Sequence, residues 1–217
     1  LRGSPVNALT LLLPLMASNS SISIPSNFSM SPPDNCLMPE PESCPGTLTG
    51  LYHRLLSPRI PALIVSLRED GLPNVMVAAW HTPVSVNPPI LAVAISPGRF
   101  THTLIERSGE FTVNIPDLPL LPKVRLAGSR SGAAFDKSRL FRYVPAAKVK
   151  APVIGEAIGS IECRLNRLIG VGDHSIILGD VVHASARGFD GVWRSSSPLL
   201  HAGTTRYLGG EFPVAPD

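Results

Sequence analysis

Six consecutive apolar residues, Ile90 to Ile95, are closed by Asn87-Pro88-Pro89 on one side and Ser96-Pro97-Gly98 on the other. The run is too short for a core helix and apolar on both faces, so it reads as a central strand of a sheet covered on both sides. The rest of the chain repeats this theme of short apolar segments between Gly/Pro turns. Pro61 opens a strand at Ala62–Leu67, a turn occupies Arg68–Pro73, and Val75–Trp80 returns as its hairpin partner. The polar stretch from His81 towards Pro88 reads as a loop. Beyond the central run come a short helix at Leu104–Ser108 and a strand at Phe111–Ile115. An irregular region punctuated by Pro116, Pro119 and Pro122 follows, with a helical turn near Val124–Ala127 and a Ser/Gly/Ala loop from Gly128 to Phe135. Ser160–Leu165 alternates through Ile161, Cys163 and Leu165, Gly170–Gly172 turns the chain, and Ser175–Ala186 is a long apolar strand. Six or so strands with few, short helices predict a mainly β fold, a small barrel.

The 217 residues suit one sizeable core with extensions. Residues 1–47 hold eight prolines, many serines and only four charges, which predicts an extended or poorly ordered arm ahead of a domain spanning 48–217. A formal net charge of +3, from 19 basic and 16 acidic residues, lacks the concentrated basic stripe of a nucleic-acid binder. The apolar run Ala8–Ala17 is about half the length of a membrane span and contains Pro14. It has the form of a signal-peptide core, with Arg2 ahead of it, but no membrane association is expected. Three cysteines, Cys36, Cys44 and Cys163, are too few for a disulfide framework, although Cys36 and Cys44 are near enough in sequence to pair; Cys163 reads as a buried strand residue. The six histidines are scattered without metal-ligand spacing, so no metal site is expected.

One segment carries a stated chemistry. Pro97-Gly98 turns the chain after the central strand, Thr101 and Thr103 stand where they can cap the following helix, and Thr103 with Glu106 fits a capping box. A helix N-terminus with hydroxyls and Arg99 beside it is an anion site, above all for phosphate. The plain alternative is an ordinary cap with a solvated arginine.

From about Leu55 to Tyr207 the sequence resembles the flavin reductase-like family, and within it the flavoredoxin-like branch. The resemblance is carried by the strand Ala62–Ser66, Gly71-Leu-Pro-Asn-Val-Met-Val-Ala-Ala-Trp-His-Thr-Pro-Val-Ser85, Asn87-Pro-Pro89, Ser96-Pro-Gly-Arg-Phe-Thr101 and Ser108-Gly-Glu-Phe-Thr-Val-Asn114. It continues through Ser131-Gly132, Asp136-Lys137, Lys148–Ile154, Glu162-Cys163 and Gly172-Asp173-His174. It implies a Greek-key split barrel of six strands that binds FMN. It further implies a cytoplasmic homodimer in which NADH or NADPH delivers hydride to the flavin, and a flavin or redox partner accepts the electrons.

The same resemblance assigns residues. Asn74, Val77, Ala78, Ala79, Trp80, His81 and Thr82 are expected along the flavin ring, whose edge alternates donors and acceptors that backbone amides and an asparagine suit. Ser96, Arg99, Phe100, Thr101 and Thr103 match the phosphate-contacting segment, in agreement with the helix-terminus argument. Lys137, one of four lysines, is expected by the flavin, where a cation meets phosphate or steadies negative charge on the ring. His174 is expected on the nicotinamide side as the catalytic residue, orienting cofactor or donor, and Tyr207 is expected to pack at the flavin. Read without the resemblance, Trp80 is equally an ordinary core aromatic, Lys137 a solvated lysine and His174 a structural hydrogen-bonder. A flavin-binding electron carrier or storage protein without a pyridine-nucleotide site is the alternative function.

Overall fold

A computed structural model of the chain describes residues 49–209. A 3-10 helix over Thr49–Leu56 leads into β1 (Ala62–Leu67), β2 (Pro73–Ala78), β3 (His81–Val86) and β4 (Pro89–Ile95). Then come α1 (Phe100–Ser108), β5 (Glu110–Ile115), a 3-10 turn at Leu118–Leu120 and α2 (Leu121–Ser129). The short pair β6 (Tyr143–Val144) and β7 (Val153–Ile154) precedes two 13-residue strands, β8 (Gly159–Val171) and β9 (His174–Ala186). A last small hairpin is formed by β10 (Leu200–Gly203) and β11 (Arg206–Leu208).

Seven strands form one antiparallel sheet in the order β2-β1-β5-β8-β9-β4-β3. Its two outermost strands, β2 and β3, are separated in the chain by Ala79 and Trp80 alone. Strands at opposite ends of a sheet are that close in sequence only when the sheet is rolled. Ala78 of β2 accordingly shares one buried cluster with Leu91 and Val93 of β4. β2 and β3 are not hydrogen-bonded to each other, so the barrel is split along the seam that Ala79 and Trp80 cross. Register shifts at Glu162/Cys163 and Leu165/Arg167 bend the long β8–β9 hairpin around the barrel.

β1 explains why the fold has two cores. Its side chains alternate: Ala62 and Ile64 enter the barrel interior with Phe111, Val113, Ile105 and Ile177, while Leu63 and Val65 pack under α2 with Val75, Val124, Ala127 and Leu199. Full burial of residues such as Ile64, Phe111 and Leu63 contributes about 1.5–3 kcal/mol each. Gly179 of β9 is obligatory here, because a Cβ would stand 2.6 Å from Phe111 Cζ and 2.9 Å from Cys163 Cβ.

Several expectations are corrected by this geometry. The barrel sheet has seven strands, not six, because the stretch from His81 is a strand and not a loop. β2 begins and ends two residues earlier than Val75–Trp80, so that Trp80 lies in the connection. α1 begins at Phe100, which puts Thr101 and Thr103 inside the helix. No side chain caps it, and the Thr103/Glu106 capping box does not form. The helical turn near Val124 is a full α-helix of nine residues. Cys163 is fully buried, and burial, with Asp180 and Glu162 nearby, pushes its thiol up to about 12. The N-terminal arm and the Cys36–Cys44 pairing lie outside the described residues. Among the described residues no helix is long and apolar enough to cross a membrane.

Candidate functional site

Two cavities flank the seam of the barrel. The smaller, about 130 Å³, lies over the start of α1. Met76 and Val77 of β2, Arg99, Phe100 and Thr101 of the helix start, and Arg130, Ser131, Gly132 and Lys137 from the loop after α2 line it. The helix N-cap, Arg99, is extended and makes no side-chain cap bond, so no side chain satisfies the first-turn amides that an anion would meet. Thr101 is buried, and its hydroxyl accepts a 2.9 Å bond from Asn74 Nδ2. Asn74 also reaches Ser66 Oγ at 3.4 Å, so this asparagine holds the helix start against the β1–β2 hairpin.

The loop is pressed onto that asparagine. A Cβ on Gly132 would stand 1.8 Å from Asn74 Oδ1 and 3.3 Å from the Phe100 ring, so only glycine permits this approach. The same loop carries Lys137, which is 4% exposed and donates 2.8 Å bonds to the carbonyls of Val75 and Ala127. An ammonium has three donors, so one remains for a ligand. Burial, and then the positive charge of Arg99, lower the Lys137 pKa to about 8. Among the described residues no carboxylate compensates it: its two partners are neutral carbonyls, and Arg99 adds a like charge. A doubly negative group would relieve both.

The larger cavity, about 640 Å³, has the seam residues Ala79 and Trp80 in its lining. It is lined by Ala79, Trp80, His81 and Thr82 of the seam and β3, Ala92 and Ala94 of β4, Ile176 of β9, and Tyr52, His53 and Leu56 of the 3-10 helix, with Arg59 and Ile60. Trp80 is stacked at a 33° tilt on His174, ring centroids 4.8 Å apart, and meets His53 edge-on at 5.4 Å. His174 opens β9 after the Gly172-Asp173 turn and is held through Nδ1 by Asp173 Oδ1 at 2.8 Å. His81 bonds the Ile60 carbonyl through Nε2 at 2.9 Å, and burial above all lowers its pKa below the usual histidine value.

The structure therefore sorts the sequence-derived residues into groups. Val77, Arg99, Phe100, Thr101 and Lys137 meet at the cationic cavity, Ala79 to Thr82 at the aromatic one, and His174 joins the latter through Trp80. Asn74 lies beneath the cationic cavity as a support. Ala78 belongs to the barrel core. Ser96 opens the turn into α1, its carbonyl accepting the Arg99 N–H at 2.9 Å, and Thr103 sits half-buried further along the helix; neither lines the cavity. Tyr207 is directed elsewhere: it packs on the second core, with His201 at 5.1 Å and the Arg125 guanidinium 5.6 Å above its ring. Sequence reasoning missed Arg130, Arg59, Tyr52 and His53. The Ser131-Gly132 pair was the only signal for the first of these, and the exposed apolar side of the 3-10 helix the only one for the rest.

The model of the flavin reductase-like domain matches residues 55–207. The chain belongs to the flavin reductase-like family. An uncharacterized protein of Archaeoglobus fulgidus is 41% identical over 132 residues, covering 60% of this chain and 73% of its own length. A flavin reductase (NADH) of Kitasatospora aureofaciens is 31% identical over 132 residues, 58% of this chain and 64% of its own. The crystal structure of an FMN-binding protein from Thermus thermophilus with bound p-hydroxybenzaldehyde superposes with a TM-score of 0.69 at 29% identity, over 80% of this chain and 98% of that one. The split barrel of this flavin-binding family is thus the fold described above. An uncapped helix start, two arginines, a lysine and a loop that approaches closely at Gly132 suit a phosphate, and a cavity lined by Trp80 suits a ring.

Proposed function

We propose that this chain is an FMN-dependent oxidoreductase to which NADH or NADPH supplies hydride. The observation that carries the reading is the continuity of residues 76–82 along the seam, joining a three-cation cavity at a helix start to an aromatic cavity. When bound, FMN supplies the hydride chemistry, taking two electrons from the nicotinamide for an acceptor such as a free flavin or a redox partner.

The protein's own residues bind, orient and exclude water. Arg99, Arg130 and Lys137 hold the phosphate with the first-turn amides of α1, and the Asn74–Thr101 bond fixes the helix start that presents them. The segment Ala79–Thr82 offers backbone donors and acceptors to the ring edge, and its apolar surroundings keep water from the reacting face. His174, set by Asp173 and stacked on Trp80, orients the donor, a role in positioning that requires no proton transfer. The reading includes a cytoplasmic homodimer and a separate N-terminal arm over residues 1–47. The NADH reductase from Kitasatospora and the FMN-binding protein from Thermus support it by their similarity.

The test is an anaerobic absorbance spectrum of the protein with FMN, before and after NADH and then NADPH. Bleaching of the flavin band within seconds is expected, with the faster donor identified. A flavin that binds but stays coloured means an electron carrier instead, and absence of binding overturns the reading.

A further inference from the structure

The aromatic cavity contains a cation that the flavin site described above leaves unused. The backbone of Arg59 is clamped to β10: its N–H donates to His201 O at 3.0 Å and its carbonyl accepts the His201 N–H at 2.7 Å. Its Nε donates to Leu56 O at 2.9 Å, which fixes the direction of the side chain. A guanidinium has five N–H donors, so four at its terminal nitrogens have no protein partner among the described residues. Arg68, Arg107, Arg164 and Arg194, by contrast, each face a carboxylate.

Among the described residues no aspartate or glutamate lines the cavity that holds Arg59. The residues around it are the rings of Tyr52, His53, Trp80 and His81, the hydroxyl of Thr82, and apolar side chains. A forked, planar cation held in place beside aromatic rings matches a ligand that is itself planar and ends in two equivalent oxygens. Of the described arginines lining a cavity, Arg99, Arg130 and Arg187 also lack ion pairs; Arg99 and Arg130 line the cationic cavity, and Arg187 is bound to the carbonyls of Glu156 and Ala157. Arg59 lines the other, aromatic cavity.

We propose that the aromatic cavity binds an aromatic monocarboxylate, its ring against Trp80 and its carboxylate on the terminal nitrogens of Arg59. This names the class of molecule presented to the flavin, and it rests on the oxidoreductase reading for that redox role alone; the binding stands by itself. The carboxylate-bearing ring, and not a nucleotide phosphate, is favoured because the lining is largely aromatic and apolar, with Arg59 its one arginine or lysine among the described residues.

The test is calorimetric titration of the full chain, with and without FMN, using benzoate, its neutral isostere benzamide, and AMP as the nucleotide probe. Benzoate is expected to bind, to weaken about tenfold or more in Arg59→Gln, and to retain part of that affinity in Arg59→Lys, which keeps charge but loses the fork. Benzamide is expected to bind Arg59→Gln as it binds the native chain. Benzoate that fails to bind, that is insensitive to Arg59→Gln, or that weakens no more than benzamide overturns the proposal. AMP binding with the same Arg59 dependence overturns it too, by giving the cation to a nucleotide phosphate. FMN titration of the same samples separates the two ideas: benzoate bound without FMN sinks the flavin reading alone, and FMN bound without benzoate sinks this one alone.

Discussion

Lys137 illustrates how a single side chain acquires a task from its surroundings. In water it would be protonated to beyond pH 10; here burial, aided by Arg99, lowers its pKa to about 8. A bound phosphate dianion favours the charged form, so its pKa rises on binding and the complex takes up a proton wherever the free protein has lost it. The sign follows: FMN affinity is level below about pH 7 and falls above about pH 8, by up to about tenfold per unit, until the raised pKa of the complex is reached. Riboflavin, without the phosphate, should lack this step, as should Lys137→Met, which should also bind FMN more weakly at neutral pH. An FMN affinity independent of pH from 7 to 9.5 would detach Lys137 from the phosphate. The other role considered for this lysine, steadying charge on the ring, would give the step with riboflavin as well.

At the scale of elements, the barrel depends on one close approach. β9 passes Phe111 and Cys163 with no room for a side chain at Gly179. Gly179→Ala should cost about 1–3 kcal/mol by overpacking, read as a lowered urea midpoint, and Phe111→Leu in the same chain should recover part of the loss. No recovery in the double variant would place the strain elsewhere. Elements were legible where the pattern was strong. β1, β4 and β5 are apolar runs bounded by turns, and their residues fixed the fold class without help. β3 was not legible: His81, Thr82, Pro83 and Ser85 read as polar loop, yet an edge strand paired on one side only tolerates that composition. The second half of β8, from Asn166 onward, is largely exposed and so carries no apolar alternation. α1 starts at Phe100 because Arg99 takes the extended N-cap position without a side-chain bond, a choice no capping rule anticipates. In the site, the motif around Arg99 and Thr101 was readable because it is local. Arg130 and Arg59 were not, since their meaning comes only from which cavity the fold turns them towards.

For the whole molecule, the 3-10 helix is an element that the other described residues leave largely uncovered. None of its residues is buried, and Leu51, Tyr52, Leu55 and Leu56 are between 45% and 69% exposed. Val84 and Val86 of β3 add exposed apolar surface on the open edge of the sheet. Tyr52, His53 and Leu56 nevertheless form a wall of the aromatic cavity, so whatever covers the helix also closes the site. A surface with this many exposed apolar side chains marks an association site, and a second copy is the occupant that the proposed homodimer supplies. Sedimentation equilibrium at micromolar concentration should therefore give twice the 23.1 kDa chain mass. Leu55→Asp with Val86→Asp should halve that mass while leaving the far-UV circular dichroism intact, because neither residue is buried. If the second copy completes the cavity, FMN affinity should fall in the same variant, and raising its concentration should restore mass and affinity together. A native chain that stays monomeric with FMN bound at full affinity would show that one copy makes the whole site, with the 3-10 helix as its own lid.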